Sequence, residues 1–131
     1  MKTNLDKFFK TDKELEQSGV WFDINNDVGF LLRPFKQTNP RVKAAMAKHY
    51  KPYARQIEMN TLSDEKAAEI QVDIFLDVCL VDWKGVEADD KPLEFTRENA
   101  KNFFLALPDL FDTLWKHAGD YSNYREDLGN S

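Results

Sequence analysis

Asp73 and Asp77 lie four residues apart within the longest apolar stretch of the chain, which places two carboxylates on one helix face. Paired carboxylates of this kind can serve acid–base chemistry or hold a metal ion. No histidine joins them in the sequence, and Lys66 and Glu69 continue the same stripe. That pattern reads as the solvated edge of an amphipathic helix. Glu87, Asp89 and Asp90 form a second acidic group. A calcium loop needs alternating oxygen ligands around a central glycine, and EADDKPLEF has none and carries Lys91. His49 and His117 are the only histidines, and Cys79 is the only cysteine. A zinc site needs about four such ligands. His49, beside Tyr50 and Tyr53, is expected to pack rather than bind. Cys79, between Val78 and Leu80, is expected to be a buried, inert thiol rather than a nucleophile. No phosphate-binding loop, GxGxxG or GxSxG occurs. The reading is a non-enzyme with no catalytic residue, metal or cofactor.

The remaining chemistry is charge and aromatic surface. Net charge is −5, yet Arg33 to Ile57 holds seven basic residues and no acidic one. Glu58 to Ser131 holds seven basic against seventeen acidic residues. Such segregation serves solubility and internal pairing, or orients partners or further copies of the chain. Arg41, Lys48, Lys51 and Arg55, interleaved with Tyr50 and Tyr53, could meet nucleic acid by phosphate contact and stacking. The acidic balance and a pI near 5.0 argue against that partner.

The elements that position these groups follow from patterning. At 131 residues, 42% apolar and 13% aromatic, the chain is expected to be one folded domain spanning 1–131, with mobile ends at 1–10 and 125–131. No apolar run reaches the ~20 residues of a membrane span, and the N-terminus lacks the apolar core of a secretory signal. With one cysteine, a reducing cytoplasm is the expected compartment. Leu5 to Gln17 reads as a short helix or arm ended by Ser18-Gly19. Val20–Ile24 and Val28–Phe35 flank Asn25-Asn26-Asp27 and predict a β-hairpin. Asn39-Pro40 starts a helix with Val42, Met46, His49 or Tyr50, Tyr53 and Ile57 on its packed face, and Pro52 kinks it. Thr61 to Ser63 opens a helix, apolar nearly all round, that forms the centre of the core over 64–82. A loop or tiny hairpin follows over 84–95, then a Thr96-capped helix, a break at Leu107-Pro108 and a last helix. The fold class is mainly α with a small N-terminal β-hairpin (α+β).

The succession of these pieces resembles the tail assembly chaperones of long, non-contractile-tailed bacteriophages (lambda-like siphophages). The likeness runs from about Glu14 to Tyr124, through KELEQSGVWFDI, GFLLRPF, NPRVKAAMAKHYKPY, TLSDEKAAEIQVDIFLDVCLVDWKGV and KPLEFTRENAKNFFLALPDLFDTLWKHA. Glu16, Gly19, Trp21, Asn39-Pro40, Asp82-Trp83, Gly85-Val86, Pro92-Leu93 and Glu98-Asn99-Ala100 sit where that family's recurring residues are expected.

The resemblance implies a non-enzymatic host-cytoplasmic protein of virion morphogenesis, made late and absent from the mature virion. It would bind the tape measure protein and keep it soluble while tube subunits polymerise around it. A second, longer product made by programmed frameshift would engage the tail tube protein; the chain ending in LGNS looks like the short product. Candidate partner-binding residues are Trp21, Phe35, Arg41, Lys48, Tyr50, Lys51, Tyr53 and Arg55. The same aromatics could instead be core. The alternatives are a structural tail component such as a tail completion protein, which purified particles would contain, and a small nucleic-acid-binding regulator, which would bind DNA in a salt-sensitive way.

Overall fold

The computed structural model describes residues 3–125, without the side chain of Lys7. The parts of the expected mobile ends at 1–2 and 126–131 lie outside the described residues. The N-terminal segment is two helices rather than one, α1 (Asp6–Phe9) and α2 (Lys13–Ser18). Asp12 divides them because its carboxylate caps α2, accepting from the Glu14 and Leu15 amides.

The hairpin forms as its turn residues dictate. Strands β1 (Val20–Asp23) and β2 (Gly29–Leu32) pair antiparallel, and the Asn25 side chain accepts from the Asp27 and Val28 amides to close the turn. Phe22 and Phe30 point to the core face, Trp21 and Asp23 to the outer face.

Asn39 caps α3 (Pro40–Tyr50) by accepting from the Arg41 amide, and Pro40 fills the first helical position, where no amide partner is needed. Pro52 ends the α geometry: Lys51–Tyr53 is a 3-10 turn and the chain resumes as α4 (Ala54–Glu58). Val42 is buried, as expected of that face, and Ala45 is buried beside it, but Ile57 is 43% exposed because α4 runs past the edge of the core.

Ser63 caps α5 (Asp64–Val78), with Asp64 and Glu65 in its positive first turn. Ile70, Val72, Ile74, Phe75 and Val78 are all buried, so α5 is the central helix. Its extent corrects the expected 64–82. The helix stops at Val78, and Leu80–Lys84 is a strand, β3, that pairs antiparallel with β2 and completes a three-stranded sheet in the order β1-β2-β3. Leu80 and Trp83 are buried while Asp82 and Lys84 face out, an arrangement a helix continuing from α5 would not give. The Arg33 amide donates to the Cys79 carbonyl at 2.8 Å, tying β2 to the end of α5 where the ladder slips.

Strands β4 (Glu87–Ala88) and β5 (Lys91–Pro92) make the small hairpin, with Asp89 and Asp90 both at positive φ in its turn. Helices α6 (Arg97–Ala106) and α7 (Pro108–Gly119) follow, the first capped by Thr96 and the second led by Pro108. Phe75, Phe104, Phe111 and Trp115 form one aromatic cluster joining α5, α6 and α7. A second 3-10 turn, Tyr121–Tyr124, returns to the sheet, where the buried Tyr124 hydroxyl donates to the Leu32 carbonyl at 3.2 Å. No described helix is long and apolar enough to cross a membrane.

Candidate functional surface

The buried side of α3 fixes what its other side can do. With Val42 and Ala45 held against α5, the repeat of α3 turns Arg41 and Lys48 to solvent, and Lys51 and Arg55 are exposed on the 3-10 turn and α4 that continue it. All four are exposed, as is Lys43 on the opposite flank, and among the described residues none of the five forms an ion pair. Lys48 also borders a cleft of about 270 Å³, lined by Tyr53, Ile70 and the ion pairs Lys66–Glu69 and Lys101–Asp73 among others. At the far end of α4, Ile57 and Met59 expose apolar surface, Met59 by 60%. The result is a cationic ridge with a greasy end.

The carboxylate stripe of α5 is used differently from the solvated face expected of it. Asp77 Oδ2 takes His49 Nε2 at 2.6 Å, and Asp77 Oδ1 accepts from the Arg97 guanidinium at 2.5 Å. Asp73 accepts from Arg97 at 3.4 Å and from Lys101 Nζ at 3.0 Å. Each of the four carboxylate oxygens thus faces a cationic or imidazole partner from α3 or α6. His49, expected only to pack, supplies the α3 end of this clamp, and Asp77 is the hub that joins three helices. Burial raises the Asp77 pKa, but hydrogen bonds from His49 and Arg97 and the Arg97 charge outweigh it and hold the carboxyl below the usual carboxylate range.

A depressed carboxyl pKa contributes stability that is present above the unfolded value of about 3.9 and is lost as pH falls through the folded value. Asp77→Asn is therefore expected to cost about 1–3 kcal/mol near neutral pH. Urea titration at pH 7 and at about pH 3 checks this: the gap between wild type and variant should narrow at the lower pH, because the carboxyl of the unfolded chain takes up a proton before the native one does.

The candidate aromatics divide. Trp21 lies on the outer face of the sheet, 39% exposed, with the Lys84 ammonium 4.7 Å from its ring centroid. Lys84 reaches it from β3 across Gly29, whose missing side chain leaves the path open; an added Cβ there would lie 2.7 Å from Lys84 Cε. Phe35 is half-buried, its ring 4.9 Å from that of Trp115, and its carbonyl accepts from the Tyr121 hydroxyl. Tyr50 and Tyr53 are half-buried against the core, with Lys66 over the Tyr53 ring. Arg41, Lys48, Lys51 and Arg55 are exposed along the α3–α4 segment that also carries Tyr53, and Trp21 and Phe35 lie on other parts of the chain. Ile57, Met59 and the exposed Leu5 and Phe9 of the N-terminal segment were not among the candidates. Nothing in their local sequence separates them from core residues.

Cys79 is fully buried, and burial raises its thiol pKa strongly. Glu87, Asp89 and Asp90 are exposed around the β4–β5 turn. Among the described residues, no group of three or more His, Cys, Asp or Glu side chains is placed to hold a metal ion.

A protein-family model described as YdaY prophage protein matches residues 37–129. No curated protein and no solved structure matches the chain.

Proposed function

The chain belongs to the YdaY prophage protein family and is therefore phage-derived, and from that premise we propose that it is a tail assembly chaperone. In this reading it binds the tape measure protein in the host cytoplasm, keeps that long helical chain soluble while the tube forms, and is absent from the finished virion. A longer frameshifted product would supply the contact to tail tube protein.

The observation that carries the reading is the α3–α4 ridge. Four exposed cations run along it without an ion-pair partner among the described residues, and it ends in exposed Ile57 and Met59. A holdase for amphipathic helices needs charged and apolar contact area that binds moderately and lets go, and such a ridge offers both. The carboxylates that could have suggested acid–base work are instead occupied between helices.

Replacing Lys48, Lys51 and Arg55 together by Glu tests it. The expected result is loss of most tape measure protein from a co-purification, roughly tenfold or more given several charge contacts at once, with a native circular dichroism spectrum. Undiminished co-purification by the folded variant would remove the ridge from the account.

A further inference from the structure

Arg41, Lys48 and Arg55 recur at intervals of seven residues along the ridge. Within α3, seven residues is close to two helical turns, so Arg41 and Lys48 stand roughly 10 Å apart on nearly the same side. Lys51 lies between the last two, where the 3-10 turn carries the line from α3 into α4. We infer that the ridge is the docking seam for a partner helix bearing acidic residues at seven-residue spacing. This inference deepens the chaperone reading and rests on it, since it specifies the chemistry of the client.

Three observations favour this occupant. The cations have no acidic partner among the described residues, so their charge is available. A helix lying alongside α3 presents side chains at the same interval, so Asp or Glu every seventh residue meets Arg41 and Lys48 in turn, as flanking charges do in coiled coils, and the exposed Lys51 and Arg55 add charge beyond the 3-10 turn. In the cleft beside Lys48, Lys66 is paired with Glu69 and Lys101 with Asp73 within its own walls, so Lys48 is the lining lysine left without an acidic partner among the described residues. A second copy of this chain does not fit the seam: no described helix of it carries two carboxylates seven residues apart. Duplex DNA is disfavoured by the net charge of −5.

The test uses the full chain and two labelled helical peptides of three heptads and identical composition. One carries Glu at every seventh position, and the other carries the same Glu residues shuffled. Fluorescence anisotropy at physiological salt is expected to show the regular peptide binding about tenfold more tightly. Arg41→Glu, Lys48→Glu and Arg55→Glu together should abolish that preference, and a peptide with Lys in place of Glu should bind this variant better than wild type. Equal binding of the two peptides, no binding of either, or tighter binding of a DNA duplex would overturn the inference. The two readings fail separately. If wild type still retains tape measure protein while the peptides are not distinguished, only the spacing inference falls. If the peptides are distinguished and tape measure protein is never retained, the seam stands and its client is a different acidic helix.

Discussion

Phe75→Ala is expected to lower the unfolding free energy by about 3–5 kcal/mol, a large part of the total for a domain of this size. Phe75 is fully buried on α5, and its ring meets Phe104 at 5.9 Å, Phe111 at 5.2 Å and Trp115 at 6.0 Å. The first two contacts are nearly perpendicular, the edge-to-face geometry that aromatic rings favour. Removing the ring deletes apolar burial and leaves a void bounded by three helices, which close packing cannot refill without moving all of them. Phe75→Leu keeps most of the volume and should cost much less, about 1.5 kcal/mol or below. Urea unfolding followed by tryptophan fluorescence separates the two variants. Similar midpoints for Phe75→Ala and wild type would mean that α5 is not the centre of the core.

Gly85→Ala should be nearly as damaging, by a different route. Gly85 follows β3 at φ +73, where an L side chain is strained. A Cβ built there is driven into the carbonyl oxygen of Asp27 and lies 2.8 Å from its carbonyl carbon. Both atoms are backbone in the β1–β2 turn, so no side-chain rotation relieves the clash. The turn must move away from β3, at a cost of about 3 kcal/mol when strain and lost packing combine. Gly119→Ala is the control, since a Cβ at that position meets nothing within 4 Å. It should leave stability unchanged within about 0.5 kcal/mol. Equal denaturation midpoints for the two alanine variants would contradict the close approach of the two turns.

Residues that act through local chemistry were the ones legible in the sequence. Asn39, Ser63 and Thr96 each cap the helix expected of them, and Pro52 and Pro108 break the chain where their missing amides require. The Asn25-Asn26-Asp27 turn and the Asp89-Asp90 turn belong to the same class. What was misjudged depends on distant neighbours. Leu80 and Val81 continue the apolar pattern of α5 with no Gly or Pro between, and a short buried strand has the same composition as a buried helical turn. Only the pairing with β2, some fifty residues earlier, makes β3 a strand. The clamp on Asp77 joins residues 28 and 20 positions away, His49 and Arg97, so its carboxylate was readable as half of a pair but not as a hub.

The candidate surface divides along the same line. The cations of α3 and α4 were visible because charge without opposing charge stands out in a linear sequence, and helical spacing aligns it. Phe35, Tyr50 and Tyr53 were not separable from core residues, and each is half-buried. Gly85 was recognisable as a turn residue, whereas the carbonyl pressed against it was not.

We propose that this prophage-family protein holds the tape measure protein in solution. Co-expressing the two and measuring the tape measure protein in supernatant and pellet after high-speed centrifugation tests that most directly. The account predicts that tape measure protein, mostly pelleted alone, moves to the supernatant and sediments as a complex with this chain. Tape measure protein that pellets equally with and without the chain would contradict it.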